Sequence, residues 1–75
     1  MHNLPPGTYG LRDGFTNGLR WEAYIEAHPD GGYRLVSLET WKQNWPVPAP
    51  RLSNFREHYP HPSDIDTAII ASLRA

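Results

Sequence analysis

Four residues near the C-terminus are of the types that bind zinc. His58 and His61 are followed by Asp64 and Asp66, and imidazole and carboxylate groups are both zinc ligands. The prolines on either side of His61 prevent a helical i, i+3 presentation of the two imidazoles, and the two aspartates suit the first turn of a helix. The pattern favours a solvated histidine-proline loop over a metal site, so we predict no metal and no cofactor.

The groups that serve as catalytic acids, bases and nucleophiles are absent or badly spaced. Glu22 and Glu26 share one face of a predicted strand, but four strand residues span about 13 Å, which is too far for a glycosidase pair. The serines lack the context of a nucleophile elbow, and the glycines lack the lysine of a phosphate loop. There is no cysteine, which excludes thiolate chemistry and disulfides. We therefore expect a protein that is not an enzyme.

Arginine and tyrosine side chains give an alternative function, a small nucleic-acid-binding module. The residues on predicted strands are Arg12, Arg20, Arg34, Tyr9, Tyr24 and Tyr33. Sheets that display aromatic rings beside arginines often hold single strands. Here acidic residues are interleaved among them, and seven Lys/Arg against eight Asp/Glu leave a net charge of −1. This balance cancels the field that a phosphate backbone needs, so nucleic acid is the weaker hypothesis.

The N-terminal half of the chain predicts a three-stranded antiparallel meander. Apolar and polar residues alternate from Leu19 to His28, which indicates a strand. Pro29-Asp30-Gly31 is typical of a turn, and a second strand-like run covers about 33–41. Asn17-Gly18 is a strong hairpin signal, so a further strand is expected at about 8–16. The strand at 19–28 then lies in the centre.

The hairpin turn also predicts a register. A three-residue loop with a glycine bulge sets Glu26 opposite Arg34, and we expect this register along the whole hairpin. A slip by one residue would oppose Glu22 and Glu39, and like charges facing each other destabilise a sheet.

Asp13-Gly14 interrupts the first strand. Glycine inside a strand pattern is typical of a bulge. A bulge here would change the face that Tyr9 and Leu11 occupy relative to Phe15.

The C-terminal half predicts a proline-rich segment and one clear helix. Residues 44–50 alternate proline with other residues, which favours an extended connection that crosses the sheet. Residues 51–59 carry a short helical stripe. The clearest helix is predicted at about 64–74, with Ser63 as its N-cap and Asp66 in a capping-box position.

The predicted sheet carries large apolar residues on both faces. One face has Leu19, Trp21, Ala23, Ile25, Leu35 and Trp41, and the other has Tyr24, Val36, Leu38 and Phe15. Either the helix and the proline-rich segment cover the two faces, or an aromatic face stays open to a protein partner or a second copy of the chain.

These observations predict a single small α+β domain over residues 1–75. The start of the chain shows no targeting signal, and no stretch approaches the ~20 apolar residues of a membrane span. We therefore expect a cytoplasmic protein that does not enter a membrane. No motif set of a known family is present.

The expected function is that of a non-enzymatic protein-protein interaction module. The candidate partner-binding residues are Trp41, Trp45, Tyr24, Arg20 and Arg34, because aromatic and arginine side chains dominate the energetics of interfaces. A homodimer formed through the same aromatic face is an alternative. In size and style the chain resembles inhibitors of host proteins from phages and mobile elements, anti-CRISPR proteins included. The sequence identifies neither the partner nor the oligomeric state.

Overall fold

In the part of the chain that the structure describes, a four-stranded antiparallel sheet packs against one C-terminal helix. The computed structural model describes Gly7 and residues 9–74. The elements are β1 (Tyr9–Thr16), β2 (Leu19–Ala27), β3 (Tyr33–Lys42), β4 (Trp45–Val47), a 3₁₀ turn (Leu52–Asn54) and α1 (Pro62–Arg74). The strands lie in the order β1-β2-β3-β4. The α+β class and the meander are as predicted, with four strands where the sequence predicted three.

The β1-β2 hairpin has the predicted turn and no bulge. Asn17 and Gly18 have φ angles of 55° and 79°, as a two-residue type I′ turn requires. The strands then pair without interruption as far as Tyr9, so the bulge predicted at Asp13-Gly14 is wrong. Gly14 instead faces Trp21, and a Cβ at residue 14 would lie 2.5 Å from the indole ring. Thr8, where the first strand was predicted to begin, lies outside the described residues.

The β2-β3 turn is the predicted three-residue loop. The N–H of Gly31 donates to the carbonyl of His28 at 2.9 Å, and the N–H of His28 donates to the carbonyl of Gly32 at 2.7 Å. Beyond the loop, Glu26 lies opposite Arg34 as expected. The turn chemistry was therefore sufficient to set the register next to the loop.

A register shift in β3 separates the two halves of this hairpin. Ile25 pairs with Leu35, but Tyr24 pairs with Ser37, so Val36 is an extra residue on β3. A bulge of this kind reverses the alternation of side chains along its strand. Leu35 and Leu38 can therefore both pack toward the core, although they are three residues apart.

Past this bulge the structure adopts the register that the sequence disfavoured. Glu22 lies opposite Glu39, and Arg20 lies opposite Trp41. Trp41 is therefore on the same face as Tyr24, and Leu38 is on the core face. The sequence had predicted Trp41 on the face of Trp21 and Leu38 on the face of Tyr24, because one register was expected along the whole hairpin. Both predictions are wrong.

Residues 44–50 do not cross the sheet. Gln43 and Asn44 have φ angles of 49° and 70° and form a second type I′ turn. Trp45–Val47 then returns alongside β3 as β4. Proline is tolerated in a strand at the edge of a sheet, where its nitrogen needs no partner.

Residues 51–59 contain only the 3₁₀ turn and not the predicted helix. The buried Tyr59 is held in an isolated antiparallel bridge with Tyr33. Each of the two tyrosines donates its backbone N–H to the carbonyl of the other at 2.7 Å. The bridge brings the chain back to the start of β3 before α1 begins.

Helix α1 begins at Pro62, before the predicted start, and proline is favoured at the first helical position. Ser63 lies inside the first turn and is not the N-cap. Asp66 does not complete a capping box but accepts hydrogen bonds from Arg12 of β1, with Nε at 3.1 Å and Nη2 also in contact. At the other end, Asn17 Nδ2 donates to the carbonyl of Leu73 at 3.0 Å.

The hydrophobic core lies between α1 and one face of the sheet. Its buried residues are Trp21, Ala23, Ile25, Ala27, Tyr33, Leu35, Tyr59, Ile65, Ile69 and Leu73. The indole N–H of Trp21 donates to Thr16 Oγ1 at 3.3 Å, which satisfies the polar atom of this ring. Among the described residues, no helix has the length and apolar character needed to span a lipid bilayer.

Candidate partner-binding face

The face of the sheet opposite α1 displays large apolar side chains to solvent. Tyr9, Leu11 and Phe15 of β1 are 56%, 54% and 67% exposed, and Tyr24 of β2 is 47% exposed. They alternate along their strands with residues that face α1, and Leu11 and Tyr24 are direct cross-strand neighbours. We call this surface the open face.

One row of the open face crosses all four strands. Phe15, Arg20, Trp41 and Pro46 are successive cross-strand neighbours. The guanidinium of Arg20 lies 4.1 Å from the centroid of the Trp41 ring, and its Nη1 donates to Glu22 Oε2 at 2.7 Å. The row thus consists of two aromatic rings around an oriented cation.

A shallow groove lies along this row. Its volume is about 580 Å³, and Phe15, Arg20 and Trp41 line it together with Asp13 and the two residues of the β3-β4 turn. The groove is open to solvent and mixes apolar walls with charged groups. Such a surface can accept a side chain of a partner and offers no enclosed reaction chamber.

Three carboxylates form the next row. Asp13 lies opposite Glu22, and Glu22 lies opposite Glu39. Within the described part of the chain, the ion pairs of the open face engage Glu22 through Arg20 and leave Asp13 and Glu39 without a cation within 4 Å. We call these three residues the acidic row.

The far end of the open face combines apolar and paired charged groups. Leu11 faces Tyr24, and in the following row Glu26 lies between Tyr9 and Arg34. Arg34 Nε donates to Glu26 Oε1 at 2.9 Å. This hydrogen bond, together with the positive charge of Arg34, lowers the pKa of Glu26 below its ordinary value, against the opposing effect of desolvation.

The structure brings together four of the five candidate binding residues. Trp41, Tyr24, Arg20 and Arg34 share the open face. Trp45 does not: it pairs with Lys42, on the opposite side of the sheet from Trp41, where it is 74% exposed.

Sequence reasoning omitted the β1 residues of this face. Tyr9, Leu11 and Phe15 were not among the candidate partner-binding residues, and the bulge expected at Asp13-Gly14 would have placed Tyr9 and Leu11 on the opposite face from Phe15. Their even spacing in an uninterrupted strand was the signal that could have grouped them.

The three histidines that the structure describes, His28, His58 and His61, do not assemble a metal centre. His58 lies edge-on to His28 of the hairpin loop, with ring centroids 5.4 Å apart. Across the described residues, no group of three or more metal-ligating side chains is close enough to hold an ion. The glycine at position 32 leaves the space that the His58 ring occupies.

Comparison with protein-family models, curated proteins and solved structures gives no match to this chain. Its function is therefore inferred from the chemistry of the open face.

Proposed function

We propose that this protein is a non-enzymatic module that binds another protein through the open face of its sheet. The observation that carries the proposal is the exposure of four large side chains on one face of β1 and β2. About half or more of each side chain is exposed in Tyr9, Leu11, Phe15 and Tyr24. Small domains normally bury such residues, and large apolar side chains clustered on one surface are typical of a contact site.

The open face has the composition of an interface hot spot. Aromatic and arginine side chains provide most of the binding energy in protein complexes. Trp41 is held against Arg20, and Arg34 is held by Glu26. These groups would lose little side-chain entropy on binding, because their positions are already restricted.

The charges of this face favour a protein over a nucleic acid. Of the residues that the structure describes, the acidic groups of this face are Asp13, Glu22, Glu26 and Glu39, and the two guanidinium groups, of Arg20 and Arg34, each contact one of these carboxylates. A phosphate backbone would meet an excess of negative charge here, whereas nucleic-acid sites have a basic surface.

The mechanism would be steric. A non-enzymatic module of this kind would act by occupying a surface that its partner needs, as an inhibitor of a host protein would. The aromatic rings would fill pockets of the partner, and Arg20 and Arg34 would donate hydrogen bonds at the rim.

Affinity capture from the native host tests this proposal. The bait is the wild-type chain, the double variant Phe15→Ser/Tyr24→Ser, or the matched control Trp45→Ser, which removes an exposed ring on the opposite side of the sheet. We expect the wild type and the control to retain the same protein after nuclease treatment, and the double variant to lose it. Retention by the double variant, with all three baits folded by circular dichroism, would contradict the proposal.

A further inference from the structure

The chemistry of the open face also specifies the kind of partner that it fits. We infer that the partner is a protein segment that places two cationic side chains, arginine or lysine, against Asp13 and Glu39. This inference rests on the proposed function and adds the partner's charge and spacing to it.

The open face has an excess of negative charge. Among the described residues it carries the four carboxylates of Asp13, Glu22, Glu26 and Glu39 and the two guanidiniums of Arg20 and Arg34, an excess of two negative charges. Arg20 contacts Glu22 at 2.7 Å, and Arg34 contacts Glu26 at 2.9 Å. The excess is therefore localised at Asp13 and Glu39, which have no such partner among the described residues.

The two carboxylates without a cation are two strands apart. Neighbouring strands lie 4.7–4.9 Å apart, so the backbones of Asp13 on β1 and Glu39 on β3 are about 10 Å apart. Glu22, which Arg20 contacts, lies between them in the register. A complementary segment therefore places its two cations about two strand spacings apart, one on each side of Glu22.

Apolar surface lies on both sides of the acidic row. Phe15 and Trp41 lie in the row on one side, and Leu11 and Tyr24 lie in the row on the other. Arginine and lysine pack their aliphatic stems on such surfaces while their charged ends reach a carboxylate. Burial between the two apolar rows would also strengthen the charge pairs by excluding water.

The acidic row is electrostatically unfavourable in the free protein. Glu22 and Glu39 are directly opposed in the ladder, and like charges in this position destabilise a sheet. The excess of negative charge on the face is relieved when a partner supplies cations. It also disfavours a second copy of the chain on this face, because two such faces would repel each other.

The experiment titrates the isotopically labelled full chain with hexa-arginine and, separately, with hexa-glutamate, and follows the amide resonances by NMR. We expect hexa-arginine to shift the resonances of Asp13, Glu39 and Trp41, and hexa-glutamate to leave them unchanged. The variant Asp13→Asn/Glu39→Gln should bind hexa-arginine about fivefold more weakly. The matched control, Asp30→Asn/Glu57→Gln, removes the same charge from exposed residues outside the acidic row and should bind as the wild type does.

The Asp13→Asn/Glu39→Gln variant should fold as the wild type does. Replacing Glu39 by glutamine removes a like-charge contact, so the variant should be at least as stable as the wild type. Thermal unfolding checks this.

Three results would overturn the inference. One is the absence of shifts with hexa-arginine, and another is an equal loss of affinity in the variant and its control. The third is a wild-type dimer in light scattering that dissociates in Phe15→Ser/Tyr24→Ser, which would assign the face to a second copy. The first two results leave the proposed function standing if the capture experiment succeeds, since they concern only the charge of the partner.

Discussion

Arg20 and Trp41 form a cross-strand pair in which the guanidinium lies 4.1 Å from the centroid of the indole ring. The pair exists because Val36 shifts the register of β3 and so brings Trp41 opposite Arg20. Glu22 holds the guanidinium from the neighbouring position. The largest ring of the open face is thus held in a defined position in the free protein.

A double-mutant cycle should detect this pair. Arg20→Gln and Trp41→Leu, separately and together, should show a coupling of about 0.5–1 kcal/mol in the free energy of unfolding, which is typical of an exposed cation-π contact. Urea unfolding followed by circular dichroism measures it. Additive effects of the two substitutions would show that the contact contributes nothing to stability.

Two aromatic residues should differ sharply in their effect on stability. Trp21 is 2% exposed in the core, whereas Phe15 is 67% exposed on the open face. Trp21→Ala should cost about 3–5 kcal/mol, because it leaves a cavity, and Phe15→Ala should cost roughly 0.5 kcal/mol or less. Thermal and urea unfolding compare them. A comparable loss in the two variants would mean that Phe15 is part of a core.

Gly14 should tolerate no side chain while Trp21 is present. A Cβ at this position would lie 2.5 Å from the indole ring, and overpacking of this kind costs about 1–3 kcal/mol. Gly14→Ala should therefore destabilise the wild type, and the penalty should shrink in a Trp21→Leu background. Unfolding free energies of the four proteins test this. A penalty that is independent of residue 21 would assign the effect to the backbone.

The acid sensitivity of the protein should include a contribution from Glu26. The hydrogen bond from Arg34 lowers the pKa of Glu26 in the folded state. Its stabilising effect is therefore fully present above the pKa of the unfolded chain and is lost as the pH falls through the lower folded value. A carboxyl-carbon NMR titration should show the depressed pKa, and Arg34→Gln should raise it. If the Glu26 pKa is the same in both proteins, the ion pair does not form in solution.

The sequence was sufficient to predict the elements whose structure depends on local interactions. Asn17-Gly18 and Pro29-Asp30-Gly31 formed the expected turns, because few residues accept the backbone angles that these turns require. The final helix followed from its apolar spacing, although its start moved to Pro62.

Long-range packing decided the elements that sequence reasoning missed. The bulge at Val36 lets Leu35 and Leu38 both pack at the core. No local signal in the sequence shows that this packing outweighs the repulsion between the opposed Glu22 and Glu39. The sequence of one strand does not show which charged residues of the neighbouring strand will lie opposite its own. The open face was only partly predicted for the same reason.

The fourth strand was missed because its turn is weaker. Gln43-Asn44 lacks the glycine that normally marks a type I′ turn, yet both residues adopt positive φ. The prolines that follow suggested a segment outside the sheet. Proline is nevertheless tolerated in β4, because β4 is an edge strand and the nitrogen of Pro46 can face solvent.

Solvent paramagnetic relaxation of the free protein tests the central claim, that the face opposite α1 is uncovered, most directly. A soluble gadolinium complex is added, and the relaxation of ring protons is measured by NMR. We expect strong enhancement at Phe15 and Tyr24 and weak enhancement at Trp21 and Tyr33. Protection of the Phe15 and Tyr24 rings to the level of Trp21 would contradict the account.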